Sequence, residues 1–337
     1  MKAAILRELN APLSVEDIEL TPLKVGQVLV KVLVSGICGS QLHEINGNKG
    51  NGKFLPHLMG HEGCGIVQEI GDGVTTVKPG DKVVMHWRVG TGIEAPFPEY
   101  VLDGKTISSG KVTTLSEYSI VSENRLTAVP IDTPNHFAAL LGCSLTTALG
   151  IIDNECDFKI GESVAIIGTG GVGLNLIQGA VLRGVNPIVA IDNKEDKSWL
   201  SFDAGADKFF SSKYEFDGKV DVVIDTTGNI DAIKKSFGYL SNNGRMILVG
   251  QPKPGESLEI ANALSFFNGN GLSIKATQGG KTDPSKDIPR YVNLNKDGKL
   301  NIDKIVTHQY KLYDVNKAFD TLKHGSAGRI MIEMEDK

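Results

Sequence analysis

From residue 1 to about residue 148 the chain alternates short apolar runs with turn residues. Residues 1–7, 27–35 (QVLVKVLVS), 65–70 and 82–85 have the composition of strands, separated by Asn10-Ala11-Pro12, Thr21-Pro22, Gly71-Asp72-Gly73 and Pro79-Gly80-Asp81. Many short strands between glycines predict a compact, partly closed β barrel rather than alternating βαβ units. Residues 86–113 break this pattern with weak periodicity and several prolines and glycines, which predicts a long loop or a small hairpin. Residues 116–130 return to strand. Residues 135–149, rich in small side chains and opening after Pro134, predict a helix.

Between residues 151 and 161 the periodicity changes. Residues 164–167 are a buried-strand run that breaks into Gly168-Thr169-Gly170-Gly171-Val172-Gly173. Helical spacing follows over 174–183, then a second apolar run over 188–191 that ends on Asp192. Strand, glycine turn, helix, strand and acid in this order form a dinucleotide-binding signature. Gly168 allows the tight turn, Gly170 lets backbone approach a pyrophosphate, and Gly173 lets the helix pack on the strand. The N–H groups around Gly171 and Val172 open the helix and offer donors to phosphate. Asp192 can accept from an adenosine ribose and repels a 2′-phosphate, so NAD is favoured over NADP, a preference that Lys194 and Lys197 just beyond it could soften.

Further along, residues 197–203 predict a helix, 220–224 a strand, 230–240 a helix ended by Ser241-Asn242-Asn243-Gly244, and 245–249 a strand. This is the rhythm of a doubly wound parallel sheet. Asp225-Thr226-Thr227-Gly228 and Gly250-Gln251-Pro252 end two of its strands, facing the crevice where such sheets bind ligands. Residues 287–293 and 315–322 predict helices and 328–334 a last strand. The expected organisation is residues 1–150, then a dinucleotide-binding domain over 151–285, then a C-terminal return over 286–337.

Charge and composition narrow the function. The 337 residues carry 35 basic and 40 acidic side chains, net −5, mixed along the chain. No basic stripe marks a nucleic-acid partner, no polybasic patch or apolar span marks a membrane, and no apolar leader opens the chain. The expectation is a cytoplasmic protein. Four scattered cysteines make no disulfide framework.

Two of these cysteines have chemically interesting company. Cys38 lies in Gly36-Ile37-Cys38-Gly39-Ser40-Gln41-Leu42-His43, His61 in Gly60-His61-Glu62-Gly63, and Cys143 in Leu141-Gly142-Cys143-Ser144. Two thiols and an imidazole are an accepted catalytic zinc set that leaves a fourth position open. No short spacing joins the three, and on residue types alone they serve equally as buried small side chains and a turn histidine.

The stretch Gly60-His61-Glu62-Gly63-Cys64-Gly65-Ile66-Val67, followed by Val77-Lys78-Pro79-Gly80-Asp81-Lys82-Val83, resembles the zinc-dependent alcohol dehydrogenases of the medium-chain dehydrogenase/reductase superfamily. The resemblance runs over essentially the whole chain, with 36–43, 141–147 and the glycine turn following in order. It implies a GroES-like barrel, to which the last strand returns, plus a Rossmann domain, one catalytic Zn²⁺ per chain, NAD, and a homodimer or homotetramer. It implies Cys38, His61 and Cys143 as zinc ligands, Glu62 as the acid behind the metal, and Ser40 and His43 as the path of the alcohol proton. Arg329 is implied at the cofactor pyrophosphate. The implied activity is hydride transfer between a small alcohol, or its carbonyl, and NAD.

Departures from the family pattern carry their own expectations. No cysteine stands between Cys64 and Cys143, so no structural zinc is expected in residues 86–113. Gly39 replaces an arginine found at the pyrophosphate in some members. Cys143 replaces the glutamate of many polyol dehydrogenases, which leans toward the alcohol branch. Within 86–113, His86, Arg88 and Glu94 could contact polar ligands. If Trp87 and Arg88 face the cleft, a polyol, sugar derivative or phosphorylated alcohol is expected; otherwise they are loop residues with Trp87 as a packing plug. Two rival readings are a zinc-free NAD(P)H-dependent quinone or enoyl reductase, and a non-enzymatic dinucleotide-binding regulator.

Overall fold

The computed structural model describes residues 1–50, 52–211, 216–260, 263–267 and 271–334. Its largest sheet runs in the order Leu126–Val129, Lys82–His86, Glu62–Ile70, Gln27–Ile37, Arg329–Glu333 and Val306–Lys311, with Tyr118–Ser122 also pairing Gln27–Ile37. All pairings are antiparallel except the last two strands, which are parallel to each other. Gln27–Ile37 is the spine: alternate valines face inward at 28, 30, 32 and 34. Two three-stranded sheets close around it, one built on Lys2–Leu6 and one on Tyr100–Leu102. The last strand, Arg329–Glu333, does return to the first domain, pairing Ile330 with Ile37 and Met331 with Gly36.

The second sheet has six parallel strands in the order Lys208–Ser211, Ile188–Asp192, Val164–Ile167, Val220–Asp225, Leu240–Leu248 and Ser273–Ala276. By chain order this is 3-2-1-4-5-6. The connections reverse direction beside Val164–Ile167, and a crevice opens there outside the carboxyl ends of the strands.

Several sequence expectations shift in detail. The single helix expected over 135–149 is two, Asn135–Leu140 and Ser144–Asn154, broken at Cys143, whose φ of −149° and ψ of −72° are not helical. Helical periodicity is continuous through the break, but Gly142 lies flush against the Met85 carbonyl and Glu62, where no Cβ fits. The turn expected at residues 241–244 is instead part of Leu240–Leu248. A register shift against Val220–Asp225 and a left-handed Asn243 (φ 66°) absorb it within the strand. Val306–Lys311 and Lys208–Ser211 were not expected, since neither has a clean alternation of buried and exposed positions. Within residues 86–113 a hairpin does form: Tyr100–Leu102 pairs with Lys105–Ile107 across Asp103-Gly104, both at positive φ.

One apolar core spans the halves of the chain. Val34, Cys64 and Val84 of the barrel share it with Leu145 and Ile151 of the bridging helix and with Ile166 and Ile177 of the parallel-sheet domain. That shared packing fixes the barrel edge against the crevice. No helix among the described residues is long and apolar enough to cross a membrane.

Candidate active site

The crevice is a cleft of ≈ 760 Å³ lined from both sides. Cys38, Ser40, His43, His61, Trp87 and Cys143 line one wall; Gly170 to Val172, Thr226, Thr227, Gly250, Gln251 and Thr277 to Gly279 line the other. The two strand ends singled out from the sequence, at Thr226-Thr227 and Gly250-Gln251, therefore do face it.

On the first wall, Cys38 follows the spine strand and caps the helix Gly39–Ile45; its N–H donates to Gln41 Oε1 at 2.7 Å. Ser40 and His43 stand one turn apart on that helix, so both side chains reach the cleft. His61 sits just before the strand Glu62–Ile70. Cys143 sits at the helix break. The two sulfurs and an imidazole nitrogen all lie within 4.8 Å of one another. Donors at about 2.0–2.3 Å from one tetrahedral ion lie about 3.3–3.8 Å apart, inside that limit, so the trio is compatible with a single zinc. The close Cys143 sulfur holds the Cys38 thiol well below its ordinary pKa, with His61 acting the same way, while the Cys38 sulfur pushes Cys143 well above its own. The Ser40 hydroxyl lies 3.4 Å from His61 Nε2, at the edge of the trio.

Glu62 is fully buried behind the trio. Its Oε2 accepts from the Ser144 N–H at 3.1 Å, and its Oε1 is ion-paired with Arg329. Burial opposes charge on Arg329, but Glu62 and the two sulfurs outweigh it and hold the guanidinium charged. Arg329 in turn packs against Gly171, where a Cβ would strike its side chain, and its Nε has no hydrogen-bond partner among the described residues. A buried bridge thus joins the thiol–imidazole trio to the glycine turn. His43 has its pKa lowered by burial and by Lys49, so its imidazole is neutral near pH 7.

The second wall is mostly backbone. Gly168 takes φ 87°, and a Cβ on Gly173 would overlap the Gly168 carbonyl. Asp192 closes the turn from behind: its Oδ2 accepts from the Thr169 N–H at 2.7 Å and Oγ at 2.9 Å, and its Oδ1 accepts from the Lys194 N–H at 2.9 Å. Lys197 lies 3.9 Å from it and is itself buried, with its pKa lowered by that burial.

The residues expected from 86–113 divide differently. Trp87 does line the cleft. Arg88 turns away from it: its Nε donates to the Thr282 carbonyl at 2.9 Å and its Nη1 to the Gln278 carbonyl at 2.8 Å. The guanidinium is used on the protein's own backbone, so the polar-substrate expectation loses its stated support. His86 is buried, donating from Nδ1 to the Arg88 carbonyl at 2.7 Å and accepting from Thr127 Oγ1 at 3.0 Å; burial pushes its pKa down to about 4. Glu94 lies among Lys111, Arg125 and Asn124, which hold its carboxyl at about 2, Lys111 most strongly. Lys49, Lys111, Arg125 and Gln278 to Gly279 line the cleft without having been singled out. Lys49 lies in a glycine-rich polar stretch with no periodicity, and the other cleft residues come together only through tertiary packing.

Comparison with known proteins follows these walls. Residues 24–131 match the alcohol dehydrogenase GroES-like domain, and residues 171–296 match the zinc-binding dehydrogenase domain. The chain is 30% identical to putative S-(hydroxymethyl)glutathione dehydrogenase 2 of Schizosaccharomyces pombe, over 99% of this chain and 96% of that one. It is also 30% identical to alcohol dehydrogenase 6 of Peromyscus maniculatus, over 98% and 97%. An alcohol dehydrogenase zinc-binding domain protein from Burkholderia ambifaria superposes with a TM-score of 0.91 at 25% identity, over 99% of both chains. With both domains matched and relatives aligned end to end, the chain belongs to the zinc-type alcohol dehydrogenase family of medium-chain dehydrogenase/reductases.

Proposed function

We propose that the protein is a zinc-dependent dehydrogenase that moves hydride between an alcohol and NAD in the cleft between its two walls. The observation that carries this is the thiol–imidazole trio facing the glycine turn across one cavity, joined to it by the Glu62–Arg329 bridge. In this reading Cys38, His61 and Cys143 hold the metal, and Gly168, Gly170, Gly171, Val172, Gly173, Asp192 and Arg329 hold the dinucleotide. Bound zinc supplies Lewis acidity that lowers the pKa of a hydroxyl, and bound NAD accepts the hydride.

The chain's own residues do the rest. Ser40 Oγ accepts the proton of the substrate hydroxyl, and His43, neutral and one helical turn on, takes it toward solvent. Trp87 shapes the apolar side of the pocket. Glu62 keeps Arg329 charged and aimed at the helix N-terminus, so the guanidinium and the N–H groups of 170–172 act on one pyrophosphate. Asp192 is the acceptor for the ribose in this reading and disfavours a 2′-phosphate.

The test is absorbance at 340 nm with NAD and NADP separately, across primary and secondary alcohols, polyols and the matching carbonyls, beside a chelator-stripped sample. Chelator-sensitive turnover with NAD is expected. A protein that binds NADH and one zinc yet turns over nothing would point to the regulator, and turnover untouched by metal removal to the zinc-free reductase.

A further inference from the structure

The cleft is electrically unlike the rest of the chain. Acids outnumber bases overall, 40 to 35. The charged residues lining the cleft are nevertheless Lys49, Lys111, Arg125 and Arg329 against Glu44 alone. Arg329 is already matched by Glu62 and stands at the glycine turn. The other three cations belong to the first wall. The Thr114 and Leu115 N–H groups both donate to the Met59 carbonyl, which seats residues 110–113 beside Gly60 and His61. Arg125 is anchored to the Trp87 carbonyl, and Lys49 is close enough to act on His43. These three cations therefore stand on the barrel side of the cleft, the side that carries the trio.

Their partners cancel them only in part. Lys111 and Arg125 share one carboxylate, Glu94. Glu44 faces His57, 3.7 Å from its Nε2. Lys49 is exposed and has no ion pair among the described residues. Like charges gathered on one lining raise the local concentration of the opposite charge and orient it on entry.

Building on the dehydrogenase reading above, we propose that the alcohol taken by this cleft carries an anionic group, phosphate or carboxylate, held by Lys49 and Lys111, with the charge of Arg125 beside them, while its hydroxyl reaches the trio. Arg88, the cation that suggested a charged substrate in the sequence, takes no part.

The test uses the zinc-loaded protein saturated with NADH, so that the dinucleotide site cannot capture the probe. Propane-1,3-diol, 3-hydroxypropyl phosphate and 4-hydroxybutanoate are titrated in by calorimetry, and the same compounds are assayed for oxidation with NAD. At least one anionic probe should bind about tenfold tighter than the neutral diol. That advantage should shrink as salt rises and fall severalfold in Lys49→Gln and Lys111→Gln. Tighter phosphate binding identifies a dianion, and tighter carboxylate binding a single charge. Equal binding of all three probes overturns the proposal, as does an advantage that survives the combined Lys49→Gln/Lys111→Gln change. The two readings fail separately: tight anion binding with no oxidation of any alcohol sinks the dehydrogenase, while oxidation with no anion advantage sinks only the anionic substrate.

Discussion

The two walls of the cleft are built on opposite plans. The barrel wall works through side chains, two thiols, two imidazoles, a hydroxyl and three cations, delivered by several strand ends, helices and loops. The parallel-sheet wall works through backbone: a glycine turn, a helix N-terminus and the ends of neighbouring strands. Side-chain chemistry tolerates being gathered from distant segments, because each side chain needs to bring only one reacting atom. Backbone chemistry does not, because N–H groups converge only where consecutive residues take the required turn. Arg329 and Glu62 are where the plans meet, one charge reaching back to each side.

If the walls are separable in this way, single changes should disable one and spare the other. The largest effect is expected at the trio. Cys143→Ala should lower metal content toward zero and turnover by more than about a hundredfold, while NADH binding measured by fluorescence stays close to the parent. Gly173→Ala should do the reverse. Its new Cβ meets the Gly168 carbonyl, so helix and strand must part, at a stability loss of about 1–3 kcal/mol in denaturant unfolding. NADH affinity should fall with it, while zinc content remains at one per chain. If either variant lost both metal and dinucleotide, the Glu62–Arg329 bridge would be coupling the walls more tightly than their construction suggests.

The same contrast explains what could be read from the chain. The glycine turn, its flanking strands and Asp192 were legible because they are contiguous and each position has one physical reason. Strand Arg329–Glu333 was placed in the barrel by resemblance, and Val306–Lys311 beside it was missed because its exposed face leaves no alternation to detect. Cys38, His61 and Cys143 were ambiguous by spacing, since nothing local distinguishes a buried thiol from a ligand; only the family resemblance drew them together. The break at Cys143 was invisible because Gly142 reports a contact with Glu62 and Met85, two strands away, and not a local turn. Arg88 was left open for the same reason. A charged residue after a strand and near a cleft has no sequence signature to say whether it faces a ligand or a carbonyl.

Arg88 is also the smallest and sharpest test of the comparison, because it ties one wall to the other. Two carbonyls of the segment leaving the parallel sheet, at Gln278 and Thr282, accept from its guanidinium, and the ring of Trp87 lies 5.3 Å below it. Ser285 adds a neighbouring tie, accepting from the Thr91 N–H at 2.7 Å. The clamp seats Gln278 and Gly279, which line the cleft, against Trp87, which shapes it. Arg88→Ala leaves both carbonyls to water, and should cost about 1–2 kcal/mol of stability, since hydrogen bonds to a charged donor are worth little more than this when partly exposed. It should also lower kcat/KM severalfold for neutral and anionic alcohols alike, because it loosens the pocket without removing an anion contact. Arg88→Lys should restore little of this, since an ammonium cannot span two carbonyls with the planar fork of a guanidinium. A selective loss on anionic alcohols in Arg88→Ala would return this residue to the substrate and undo its role as the joint between the walls.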